Sequence, residues 1–138
     1  MRMQIIMTLA FVLVGVFLGC TSKVNFDDVI GTYKLRYPYG TEELQLSQDG
    51  TYIQSVFIDG EATAKTNKGR WKFDKTESQI ILIDAMIVDD FFGHLKPEYW
   101  KIQSGLSILP VKKSFGKVSL TVNPDQGFVF EKTSKKKE

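Results

Sequence analysis

Turn residues punctuate this chain so often that no amphipathic helix of twelve residues fits between them. Pro38-Tyr39-Gly40, Asp49-Gly50, Asp59-Gly60, Asn67-Lys68-Gly69, Lys75 to Ser78 and Asn123 to Gly127 follow one another at short intervals. Clusters of this kind, separated by runs of five to eight residues, predict antiparallel hairpins. The runs alternate. Tyr33, Leu35 and Tyr37 share one face opposite Thr32, Lys34 and Arg36; Trp71 and Phe73 oppose Arg70, Lys72 and Asp74; Val118, Leu120 and Val122 oppose Lys117, Ser119 and Thr121. Such strands put one side in a core and the other in water. Ile80 to Ile83 is apolar on both faces, as suits a strand covered on both sides.

The candidate strands are 31–37, 43–47, 51–58, 62–66, 69–74, 79–84, 99–104 and 116–122, with 128–132 as a further one. A sheet of about eight strands in a chain of 138 residues must hide its edges, and closure into a barrel does so. Before the first strand, Asn25 can cap a short helical turn Phe26 to Ile30, with Asp27 and Asp28 at its positive end. The fold class predicted is all-β, an antiparallel barrel of about eight strands after a short helical turn.

The first twenty residues follow a different rule. Arg2 gives a positive start, and Ile5 to Leu18 is fourteen residues with only Thr8 polar. As a helix this run spans roughly 21 Å, short of the ~30 Å hydrocarbon core of a bilayer. A short apolar run behind a positive end, closing on small residues, is the pattern of an export signal. An uncleaved membrane helix from Met3 to about Cys20 is the other reading. The single cysteine has no partner for an intrachain disulfide.

Phe17-Leu18-Gly19-Cys20 resembles the lipobox of bacterial lipoproteins. The resemblance implies cleavage between Gly19 and Cys20 and acylation of the Cys20 thiol. Membrane lipid then holds the domain in the cell envelope. Thr21, in place of the aspartate that marks inner-membrane retention, points to the outer membrane, facing the periplasm, if the host is Gram-negative. Thus 1–19 reads as a helical signal peptide, 20–25 as a lipidated tether, 26–132 as the barrel domain and 133–138 as a basic disordered tail.

A second resemblance covers about residues 26–84. Gly31-Thr32-Tyr33-Lys34-Leu35, Leu46 with Asp49-Gly50-Thr51-Tyr52, and Gly69-Arg70-Trp71-Lys72-Phe73 look like the opening of lipocalin-like barrels found in many bacterial lipoproteins. The resemblance implies a lipocalin-like barrel whose interior takes a small apolar or amphipathic ligand. Tyr33, Leu35, Leu44, Leu46, Trp71, Phe73 and Leu120 would line that interior. Its mouth would lie near residues 84–98, where Phe91, Phe92 and Tyr99 could form a lid. Those aromatic residues could equally plug the barrel end as core, or present a docking patch to another envelope protein.

Chemistry-bearing residues are sparse. Asp90, His94 and Glu98 fall four apart, but Gly93 and Pro97 oppose a helix there and the chain has one histidine. No metal site, cofactor or catalytic residue is expected, since Cys20 is committed to lipid and no nucleophile motif stands near His94. Neighbouring acids such as Glu42 and Glu43 point to opposite sides of an extended strand. The formal charge of +2 falls to about +1 without Arg2 (17 basic against 16 acidic side chains), too little to steer nucleic acid. A non-catalytic binding module is expected, with a filled barrel that docks an envelope partner as the alternative.

Overall fold

The computed structural model describes residues 23–88 and 105–133. These form a closed, antiparallel barrel of eight strands in sequence order, preceded by one helical turn. The turn is α1 (Phe26–Val29), and the strands are β1 (Gly31–Tyr37), β2 (Gly40–Leu46), β3 (Thr51–Ile58), β4 (Lys65–Asp74), β5 (Gln79–Ile83), β6 (Leu106–Ser114), β7 (Lys117–Asn123) and β8 (Phe128–Lys132). Each strand pairs with its successor, and β1 meets β8 through Tyr33↔Lys132 and Lys34↔Glu131. That last seam is short. It is lengthened by Thr133, whose N–H donates to the Thr32 carbonyl at 2.8 Å.

Alternation decides what lies inside. Tyr33, Leu35 and Tyr37, Leu44 and Leu46, Tyr52 and Val56, Trp71, Ile80 and Leu82, Leu109, Val118 and Leu120, and Phe130 form one buried core. At one end, here the base, α1 closes the barrel. Asn25 is the N-cap of α1, and Asp28 completes a capping box by accepting the Asn25 N–H at 2.8 Å. The Tyr33 hydroxyl donates to the Val29 carbonyl at 2.8 Å, Phe26 stacks on Trp71 at 5.3 Å, and the Trp71 indole N–H donates to Ser47 O at 3.0 Å. Two lysines complete the clasp: Lys113 Nζ lies 2.8 Å from the Asp28 carboxylate, and Lys132 Nζ donates to the Asp28 carbonyl at 2.6 Å.

The structure differs from the expected strands at β2, which begins at Gly40 and not at 43, at β4 and at β6. Residues 62–66 and 69–74 are not two strands with a turn at Asn67-Lys68-Gly69; β4 runs unbroken from Lys65 to Asp74, and only Lys65 and Thr66 of the first segment are strand. Asn67 points inward, where its amide is hydrogen-bonded, and Gly69 makes room for the Tyr52 ring. β6 occupies 106–114, a stretch that Pro110 and the paired lysines obscure; 128–132 is a strand as expected, and it closes the barrel. The expected strand 99–104 lies outside the described residues, as do the signal segment, Gly19, Cys20 and residues 134–138. Among the described residues no helix is long and apolar enough to cross a membrane.

A Cβ at Gly69 would sit 2.6 Å from the Tyr52 ring, which is buried and held through its hydroxyl. Gly69→Ala is therefore expected to destabilise the fold by about 1–3 kcal/mol in denaturant titration. Asp28 gives a pH signature. The Lys113 ammonium first, then the Asn25 N–H, hold its carboxyl below the ordinary value of 3.8. The contribution is complete above that value and is lost as pH falls through the lower folded one. Asp28→Asn should cost about 0.5–1 kcal/mol at neutral pH and flatten the acid limb of the stability curve.

Candidate functional site

Polar residues occupy the inward phase of three neighbouring strands in the upper half of the barrel. Glu42 on β2, Gln54 on β3 and Asn67 on β4 are each at most 4% exposed. The pattern is legible: Glu42 stands in phase with Leu44 and Leu46, Gln54 with Tyr52 and Val56, and Asn67 with Trp71. Sequence reasoning that follows the apolar members of those rows passes over the polar ones. Glu42 and Glu43 do point apart, Glu43 reaching Lys34 at 3.1 Å outside while Glu42 is buried inside.

These side chains are hydrogen-bonded to one another and to a returning stretch of backbone. The Tyr37 hydroxyl donates to Glu42 Oε2 at 2.9 Å, and Gln54 Nε2 donates to Glu42 Oε1 at 2.6 Å. Gln54 also clamps Met86, donating to its carbonyl at 2.7 Å and accepting its N–H at 2.9 Å. Asn67 Nδ2 donates to the Asp84 carbonyl at 3.0 Å and to the Tyr52 hydroxyl at 3.2 Å. Tyr52 in turn donates to the Ile83 carbonyl at 3.0 Å. Burial pushes the Tyr52 phenol above its ordinary value, so it stays a donor. The same cause, then the Asp28 charge, raises Tyr33 at the base.

Residues 83–88 are thereby laid over the barrel end as a strap. Asp84 turns the chain with φ of 56°, and its carboxylate and N–H pair with the Gly105 backbone at 3.0 and 2.9 Å. Beneath the strap lies a cavity of about 210 Å³. Tyr37, Glu42 and Gln54 form its polar wall; Leu82, Ala85, Met86, Val88, Leu109, Val122 and Phe130 form its apolar wall; Ile87, Ser107 and Ile108 stand at its rim. Asn67 Oδ1 is buried beside this network without a hydrogen-bond partner.

Of the residues expected to contact a ligand, Tyr33, Leu35 and Trp71 are packed in the base and middle of the core, and Phe73 is partly buried against it. None of these four lines the cavity. Phe91, Phe92 and Tyr99 lie outside the described residues, as do Asp90, His94 and Glu98. Among the described residues no cluster of three His, Cys, Asp or Glu side chains could hold a metal ion. The cavity offers a carboxylate, an amide and a phenol against aliphatic walls. That arrangement can recognise a hydrogen-bond donor on an otherwise apolar molecule.

No known family model, curated protein or solved structure matches the chain.

Gln54→Ala removes both clamps on Met86 and one donor to Glu42. The expected loss is roughly 2–4 kcal/mol, because buried polar groups are left unpaired. Amide exchange at Met86 should accelerate more than at Leu44 in the packed half, which hydrogen-exchange mass spectrometry would read.

Proposed function

We propose that this chain is a membrane-anchored lipoprotein of the cell envelope, held by lipid on Cys20. Its lipocalin-like barrel is a non-catalytic binding module for a small amphipathic ligand. The two-sided cavity beneath the 83–88 strap carries this reading. An aliphatic cavity of ~150 Å³ accommodates benzene, so about 210 Å³ suits a ring-sized molecule with a short polar group. The apolar body would lie along Leu82, Leu109, Val122 and Phe130, and a donor group would reach Glu42 and Gln54. An up-and-down barrel of eight strands is an architecture that commonly holds one small ligand at its mouth. The short apolar segment Ile5 to Leu18 and the Gly19-Cys20 pair support the anchoring.

The alternative, a filled barrel that docks another envelope protein, has one observation in its favour. Leu106 and Ile108 on the outer face of β6 are more than half exposed and pair in register with Ile83 and Ile81 of β5. A photo-crosslinking residue at Ile108 in native membranes distinguishes the readings, since only the alternative yields a defined protein adduct.

The ligand reading makes its own demand. Native mass spectrometry of protein released gently from its membrane should show a co-purifying small molecule. Ala85→Leu, which fills the cavity beneath the strap, should leave the fold intact and reduce that species about tenfold. An unliganded wild-type protein, or equal retention by the variant, would exclude the cavity as the site.

A further inference from the structure

Both described chain ends leave from one end of the barrel, and its lysines gather on one side. Lys23 precedes α1 at the base, and Thr133 ends β8 beside Thr32 at the same base. Residues 1–22, with the apolar run Ile5 to Leu18, and residues 134–138, with three lysines, therefore connect to this end. The β6–β7 turn, Phe115-Gly116, is also at the base. Phe115 is 93% exposed and sits in the left-handed region with φ of 49°. Two-residue hairpin turns favour Asn, Asp or Gly at such a position. An exposed phenylalanine contributes nothing to the core, and at the tip of a hairpin it is free to meet a surface outside the barrel.

The surroundings of the tip indicate that partner's chemistry. An open groove beside it is lined by Lys112, Lys117 and Lys132 against one acid, Glu131. The other acids of the base, Asp27, Asp28, Asp49, Asp74 and Glu77, sit on α1 and around the two other turns, and Asp28 is already paired with Lys113. At the opposite end the described connections between strands carry Asp59, which is paired with Arg36, and Glu61, Asp84 and Asp125, with Lys65 at the start of β4 beside them. An anionic surface would attract the lysine-lined side of the base.

We propose that the β6–β7 hairpin rests on an anionic phospholipid surface, with the Phe115 ring in the interfacial layer and Lys112 and Lys117 facing the headgroups. An aromatic ring between water and acyl chains, flanked by lysines, is a recurrent interfacial anchor. The inference extends the proposed anchoring from a tether to a fixed orientation, and it rests on that anchoring.

The test uses the full chain with its own N-terminal segment, reconstituted into phosphatidylcholine vesicles with or without phosphatidylglycerol. Phe115→Trp adds one fluorophore, and acyl-chain-brominated lipid reports its contact with the bilayer after subtraction of the wild-type signal. Strong quenching is expected in the anionic vesicles, weakening with added salt. Lys112→Glu and Lys117→Glu, introduced singly, should each reduce the docked population about fivefold. Flotation separates the two layers of the proposal. A chain that floats with anionic vesicles while the introduced indole stays unquenched overturns the docked hairpin and leaves the anchor standing. A chain that fails to float overturns both.

Discussion

The upper half of this molecule depends on one buried amide. Gln54 meets the Met86 backbone with a donor and an acceptor at once, at 2.7 and 2.9 Å, and donates to Glu42 from the same nitrogen. A returning segment without regular structure would otherwise carry unpaired N–H and C=O groups into the barrel mouth. Gln54 and Asn67 receive those groups as a ladder strand would, and Tyr52 takes the carbonyl before them. The strap, the cavity below it and the polar wall are thus consequences of one network. This network also explains why β4 passes through Asn67 without turning. Inside the barrel the asparagine binds backbone that has come back across the end, so its usual role in a turn is not needed.

The base follows the opposite principle. Its groups are large, apolar and closely packed: Trp71 stacked on Phe26, Tyr33 against Val29, and Leu46 and Leu120 filling the space between. Polar tips leave through single hydrogen bonds to α1 and Ser47. Lys113 and Lys132 then tie α1 to the hairpin and to the closing strand, which reinforces a β1–β8 seam of few registered pairs. A rigid floor and a strap bound by hydrogen bonds give the barrel two distinct ends. Local opening is easier where stability comes from a few polar contacts than where it comes from dense packing.

Much of this is legible in the residues. Period-two alternation places β1, the second half of β4 and β7, and the Gly-x-aromatic stretches carry Tyr33 and Trp71 into the core, where they close the base instead of lining the cavity. The apolar run at Ile80 to Ile83 marks β5, though its outer face meets the exposed Leu106 and Ile108. Two kinds of signal mislead. Turn-forming residues inside a strand read as a turn, because a side chain that bonds to distant backbone looks locally like one that bonds to its own. Pro110 hides β6, although Val111 beyond it still donates to Ser78 O at 2.8 Å. The site itself is written as polar residues in apolar phase. A search for paired acids or histidine clusters does not find it, since Glu42, Gln54 and Asn67 lie on three strands and meet only through the register.

The two ends together constrain how a ligand could come and go. The chain leaves the fold at the base, and the cavity opens beneath the strap at the other end. A domain held at the base, as proposed, would present its cavity to the aqueous side. A ligand drawn directly from the bilayer would enter at the base, and the groove there shares no lining residue with the cavity, from which the packed Tyr33, Leu46 and Leu120 separate it. Exchange through water favours a molecule with real aqueous solubility, and a cavity of about 210 Å³ suits a ring-sized body better than a long acyl chain. A buried carboxylate and amide on one wall fit that restriction. They reward a polar group that a long-chain lipid would have to carry at the wrong end.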